Sequence, residues 1–432
     1  MRIHRSFRIN PLLQSKEALF WWAKKFDMAV WLDSNAHQDH YSTFEAGLAV
    51  GACRTLYTAD ALNTFLENEN DWLFGYLSYD VKNELEDLTS NNFDGLDFPA
   101  LQFFQPQKII IVDGGQLHFK YLEDVANEID GDLAEIRNFS PQETSPKPNE
   151  PIKIKMRIHK DAYFEKARRF LEHIHRGDIY EANFCQEFYA EDVAVDPWET
   201  YQKLNGISEP PFAAFAKLSD KYLMCASPER YIKKMGQKVI SQPIKGTARR
   251  GMDEREDEKI KQELAQDKKE RSENIMITDL VRNDLSKSAI RGSVQVEELC
   301  KPHTFKQVHQ LISTIVSKVP TNKSPLELIK DTFPMGSMTG APKISAMKII
   351  EELEETKRGL YSGAVGYFAP NGDFDFNVVI RSILYNASKK YVSFSVGSAI
   401  TSKSDPEKEY QECLLKAKAM RTVLEEREAQ GR

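Results

Sequence analysis

Several things are missing from this 432-residue chain, and each absence excludes a class of protein. No apolar run approaches the ~20 residues that a membrane-spanning helix needs, so no membrane partner is expected. The basic N-terminus, MRIHRSFRINPLL, lacks the apolar core of a secretory leader. There is no surplus of positive charge: 58 Lys and Arg stand against 65 Asp and Glu, a formal charge of −7. A nucleic-acid binder needs a basic contact face, so nucleic acid is not an expected partner either. Cysteine is scarce. Cys53, Cys185, Cys225, Cys300 and Cys413 are odd in number, far apart and form no C-x-x-C. That pattern fits neither a disulfide framework nor a zinc site, and points to reduced thiols in a cytoplasmic protein. Internal repeats and low-complexity tracts are also missing.

What remains is an ordinary globular composition, 41% apolar and 28% charged, with length enough for two or three domains or one large one. Pro141, Pro146, Pro148 and Pro151 interrupt 138–153, which reads as a linker between an N-terminal region (1–137) and a larger region (154–432). Before it, KIIIV (108–112) and QLHFKYL (116–122) flank the turn pair Gly114-Gly115 as a hairpin would. After it, Tyr163, Ala167, Phe170, Leu171 and Ile174 share one helical face, and Gly177 offers a stop. Strands are expected at 211–218, 221–226, 230–235, 238–242, 363–368, 374–385 and 391–396. Residues 253–288 read as mostly helical. Further helices are expected from Pro342 to before Gly359, and from Asp405-Pro406 to about 427. Strands come in clusters rather than in strict alternation with helices, which favours α+β with antiparallel sheets.

Four constellations carry chemistry. Glu270 and Glu273 are three apart, as are Glu409 and Glu412, so each pair shares a helical face, with Lys416 one turn on. Two such helices can build an oxygen-rich site for Mg²⁺, although solvated helices carry the same spacing. In PIKGTARRG (243–251), Lys245 ends a strand; a desolvated lysine there loses basicity and becomes a nucleophile, whereas a solvated basic turn looks the same in sequence. FPMGSMTGAPK (333–343) places small residues before a helix, where backbone N–H groups suit a carboxylate, but its spacing is wrong for a phosphate loop. Glu229, His309 and Arg381 stand singly. Arg381, inside the apolar run VVIRSIL, requires an anionic partner.

In this order along the chain, SPER (227–230), PIKGTARRG, ERSENIMITDLVRNDL (270–285), FPMGSMTGAPK, YSGAVGYF (361–368), FDFNVVIRSI (374–383), VGSAIT (396–401) and DPEKEYQECLLKA (405–417) resemble the chorismate-utilising enzymes. GDIYEANFCQ (177–186) and GYLSYD (75–80) extend the likeness more weakly. The resemblance implies a large sandwich of two mainly antiparallel β-sheets flanked by helices, to which the N-terminal region contributes strands. It implies that Glu273 and Glu412 ligate Mg²⁺, with Glu270 and Glu409 lining the same site. Arg381 and Tyr361, with backbone N–H groups near Gly397 and Ala399, would hold the pyruvyl carboxylate. Thr339 and Gly340 would border the ring, with Lys416 near a substrate carboxylate. Glu229 would be the general acid–base and His309 the histidine beside the ring.

Lys245 selects the branch. The resemblance associates alanine here with amination at C2 and lysine with amination at C4, through a covalent lysine adduct. The expected reaction is therefore Mg²⁺-dependent amination of chorismate at C4, with ammonia from a separate glutamine amidotransferase subunit. The alternatives are C2 amination and a non-catalytic relative that binds chorismate or a partner. Glu181 departs from the pattern: water-using relatives carry lysine there and amine-transferring ones usually glutamine. WLDS (31–34) only partly matches the segment that binds tryptophan in some relatives, so strong tryptophan regulation is not expected.

Overall fold

The computed structural model describes residues 1–8, 12–139 and 152–425. Its fold turns on one long strand, Leu101–Asp113. The first part of that strand pairs with Leu73–Leu77 and the second part with Gln116–Leu122, while Ala46–Leu56 runs along most of it. Two antiparallel arms therefore leave it. One runs through Ala46–Leu56, Met28–Asp33, Phe212–Leu218, Lys221–Ser227, Ser382–Asn386 and Tyr391–Thr401 to Glu181–Ala190. The other runs through Leu73–Leu77, Ala364–Phe368, Phe374–Val378, Arg230–Met235 and Lys238–Gln242 to Val308–Lys318. The α+β sandwich is thus present, and its two sheets are hydrogen-bonded into one network through 101–113.

Side-chain alternation builds the layers. Val30, Ala49 and Ile109 face an inner core shared with Phe74, Tyr231 and Phe376 of the opposite arm. Their neighbours Trp31, Leu48 and Ile110 face an outer core closed by helices, among them Lys160–Arg176 and Pro406–Glu425. The first of these buries Tyr163, Ala167, Phe170 and Ile174 and stops at Gly177, whose φ of +84° suits a residue without a Cβ. Strands from before the Pro-rich stretch sit next to strands from after it in both arms, as in Met28–Asp33 beside Phe212–Leu218 and Leu73–Leu77 beside Ala364–Phe368. Most of that stretch, 140–151, lies outside the described residues. No helix among the described residues is long and apolar enough to cross a membrane. The five cysteines are free, and four of them are buried.

Two local differences from the sequence expectation shape the site. Residues 253–288 form two helices, Glu254–Gln266 and Lys268–Ser286, because Asp267 accepts hydrogen bonds from the backbone N–H groups of Lys269 and Glu270 and starts a new helix. The expected strand 374–385 is two strands, Phe374–Val378 in one arm and Ser382–Asn386 in the other. The chain crosses between the arms at 379–381, and Arg381 takes the left-handed conformation, φ +52°, to do so. An unbroken apolar run gives no sign of such a crossing.

Candidate active site

The N-terminal cap at Asp267 fixes Glu270 and Glu273 in the opening turns of the 268–286 helix, and Asp405-Pro406 opens the helix that carries Glu409 and Glu412. The four carboxylates sense one another. Burial raises the pKa of Glu270, Glu273 and Glu409, and the charge of neighbouring glutamates raises each further. Burial pushes Glu412 the same way, but Lys416 outweighs it and holds Glu412 below the usual range. Lys416 reaches Glu412 Oε1 at 2.6 Å and donates to the Gly397 carbonyl at 2.8 Å. Lys269 lies 3.7 Å from Glu273. Among the described residues no three His, Cys, Asp or Glu side chains already converge as a metal cage. Lysines engage two of the four, Glu273 and Glu412. The donors themselves suit a hard divalent cation, because all four are carboxylates.

Lys245 projects from the Ile244–Arg249 strand into this group. Its Nζ lies 3.5 Å from Glu181 Oε1 and 3.9 Å from Glu273 Oε2. The expectation that burial lowers its pKa is reversed. Desolvation acts downward, but Glu181, Glu273, Glu412 and Glu409 together hold it above the ordinary lysine value. The sign depends on residues distant in sequence, which PIKGT alone does not show.

Glu229 is 4% exposed and accepts a hydrogen bond from Ser337 Oγ at 2.7 Å. Burial raises its pKa to about 7, against the opposing pull of Ser337, the Ile244 backbone and Lys245. It is therefore neutral or charged near neutrality, as a general acid must be. The 335–340 loop that carries Ser337 is tied down by two residues absent from the sequence expectation. Asn183 donates its backbone N–H to the Thr339 carbonyl at 2.7 Å and its side-chain amide to the Ser337 carbonyl at 3.0 Å. Arg358, paired with Glu354 at 2.6 Å, donates to the Met338 and Asn183 carbonyls. Thr339 is buried and Gly340 pairs with Ala182; a Cβ at Gly340 would stand 2.1 Å from the Glu181 carbonyl. Gly397 and Ala399 lie opposite Cys185 and Asn183 in the next strand. A Cβ at Gly397 would stand 2.4 Å from Asn183 Oδ1.

Tyr361 lies near enough to Arg381 to act on its charge. Tyr361 is buried, and its hydroxyl accepts from Cys185 Sγ at 3.7 Å. Arg381 has its pKa lowered by burial, with only the longer-range charges of Tyr361 and Glu412 acting the other way. A desolvated guanidinium of this kind is a receptor for an anion.

The resemblance implies His309 beside the substrate ring. It is fully buried on the Val308–Lys318 strand, with Nε2 2.9 Å from Asp257 Oδ1 and Nδ1 3.0 Å from Thr304 Oγ1. Both ring nitrogens are engaged, and Asp257, also bound by Arg250, sits well below the usual carboxylate range. A cavity of about 650 Å³ opens elsewhere, beside WLDS, lined by Ser34, Tyr41, Phe212 and Arg230; none of the residues expected at the site borders it.

A group of carboxylates with a desolvated guanidinium and a buried acid near it suits a small anionic substrate. Residues 13–422 match the family described as chorismate binding enzyme, and the chain belongs to that family and acts on chorismate. It is 34% identical to anthranilate synthase component 1 of Thermus thermophilus, over 82% of this chain and 78% of that protein. It is 38% identical to aminodeoxychorismate synthase component 1 of Escherichia coli, over 67% of this chain and 63% of that protein. The crystal structure of anthranilate synthase component I from Streptococcus pneumoniae superposes with a TM-score of 0.78 at 25% identity, covering 89% of this chain and 94% of that one.

Proposed function

We propose that the protein aminates chorismate at C4, giving 4-amino-4-deoxychorismate for p-aminobenzoate and folate synthesis. It would serve as component I of an aminodeoxychorismate synthase in the cytoplasm, with ammonia from a separate glutamine amidotransferase subunit. The observation that carries this reading is Lys245, a lysine held inside the carboxylate cleft rather than in a solvated turn. Lys245 is held as the ammonium, so it first gives a proton to the neighbouring Glu181 carboxylate and then, as the amine, bonds to ring C2 while the ring double bonds shift and the C4–O bond breaks. Glu229 gives its proton to the departing hydroxyl, which leaves as water. Ammonia then bonds to C4 as the C2–Nζ bond breaks; Lys245 leaves as the neutral amine and takes its proton back from Glu181, and the new C4 nitrogen stays as the ammonium.

Glu273 and Glu412 would hold Mg²⁺, with Glu270 and Glu409 beside them; when bound, the ion supplies positive charge opposite the substrate's ring carboxylate. Arg381 and Tyr361 would take the pyruvyl carboxylate together with backbone N–H groups near Gly397 and Ala399, and Thr339 and Gly340 would border the ring. Lys416, now paired with Glu412, would lie near a substrate carboxylate. His309, with both nitrogens occupied, fits a wall of the site rather than a proton carrier.

The test is product analysis with chorismate, ammonium chloride and Mg²⁺. 4-Amino-4-deoxychorismate, lost on chelation by EDTA, is the expected result. Direct formation of o-aminobenzoate would instead establish the reading that the Thermus relative favours. Arg381→Ala is expected to raise KM for chorismate roughly 30-fold or more, since a charged partner inside the site is lost, with kcat changed far less. Steady-state kinetics with Arg381→Lys as the partial rescue checks this.

A further inference from the structure

Another cavity, of about 770 Å³, lies where the Arg2–Arg8 strand pairs with the Gln116–Leu122 strand. None of the residues given a role in the reaction borders it. Its volume is within the roughly 300–1,000 Å³ of small-molecule sites. The acids of its lining are already claimed. Asp71 is held by Arg2 at 2.9 Å and Glu69 by Arg54 at 2.7 Å. Asp373 accepts the Gly236 N–H at 2.7 Å, with Lys234 3.6 Å away. Lys233 is likewise spent on Asp375 at 3.0 Å.

Two basic side chains of the lining are left over. No carboxylate among the described residues acts on Lys120 or on His4. The Lys120 ammonium rests over the Trp72 ring, 5.0 Å from its centre. The strand register sets His4 and Lys120 directly opposite each other, where like charges repel. Burial and the charge of Arg2 lower the pKa of Lys120, and burial, Lys120 and Arg2 lower that of His4. A bound anion would relieve both. The other walls are apolar: Tyr367 and Phe374 are buried, and Leu122 and Met235 continue the lining. A negative group joined to a flat apolar body matches this division. We propose that the cavity is a second ligand site, which takes a small ring carboxylate, with its carboxylate on Lys120 and His4 and its ring against the apolar walls. The proposal is independent of the amination chemistry.

The probe is 4-fluorobenzoate, titrated into the protein and followed by fluorine NMR. The reaction cleft can take the same probe, so the titration is run on the wild type, Arg381→Ala and Lys120→Met. One binding event should survive Arg381→Ala. The same event should weaken about tenfold or more in Lys120→Met, which keeps the stem over Trp72 and loses one charged hydrogen-bonding partner. Lys120→Arg should restore most of it. Met235 is 43% exposed, so Met235→Glu adds a negative charge to the lining at a position that tolerates one; it should weaken the same event and keeps the test decisive if Lys120→Met does not fold. Benzoate should displace the probe, and inorganic phosphate at the same concentration should not. Binding that vanishes in Arg381→Ala and is untouched by Lys120→Met and Met235→Glu would put the probe in the cleft alone and overturn the proposal. Displacement by phosphate as readily as by benzoate would overturn the ring carboxylate as the ligand.

Discussion

Lys245→Ala is expected to lower 4-amino-4-deoxychorismate formation by at least about a thousandfold, because the covalent route to C4 disappears with the nucleophile. Ammonia then has only direct attack open to it, and the residual product should carry nitrogen at C2. Chromatographic separation of the products after incubation with chorismate and ammonium shows the switch. Mass spectrometry of quenched wild-type enzyme should find an adduct on the peptide containing Lys245. Full C4 amination by Lys245→Ala would remove the covalent role altogether. The substitution also removes the ammonium paired with Glu181 among the described residues, leaving that carboxylate buried without this cation. A lower melting temperature therefore accompanies the loss of product, and Lys245→Met, which keeps the packing of the stem, separates fold from chemistry.

The second large effect concerns Glu229. Glu229→Gln should lower kcat by roughly 10²–10⁴, the usual contribution of a positioned acid. Its pH dependence has a definite sign. Burial lifts the folded-state pKa from 4.5 to about 7, so the proton needed by the departing hydroxyl is present below about pH 7 and lost above it. Wild-type kcat should therefore fall as pH rises through 7, and the variant should lack that limb. Stability follows the same proton. Between about pH 4.5 and 7 the folded state binds more protons at this position than the unfolded state, so its contribution to stability declines as pH rises. Melting curves across that window should be flatter in Glu229→Gln than in the wild type.

The sequence made local features legible and long-range ones not. The strands from 212 to 242 declare themselves by apolar runs broken at Ser219 and Gly236, both with positive φ. The carboxylate pairs follow from a spacing of three on a helix. That the sheets merge is hidden, because a 13-residue strand serving different partners along its length looks like any long strand. The Lys245 pKa went the other way because Glu181 and Glu412 lie 64 and 167 positions away and act only once folded. His309 and Asp257 are 52 apart, and nothing in QVHQLIST announces the carboxylate that claims its ring. Ser337, Asn183 and Arg358 were missed for the same reason: each acts through backbone carbonyls or a side chain brought near by a different strand.

The forked strand has a mechanical corollary. The arms that diverge at Leu101–Asp113 end in Glu181 on one side and, through the Val308–Lys318 strand, in Lys245 on the other. The Lys245–Glu181 ion pair bridges their tips, while the arms share the inner core closer to 101–113. On the covalent route proposed for Lys245, bonding at the lysine nitrogen would break that ion pair and release of the amine would restore it.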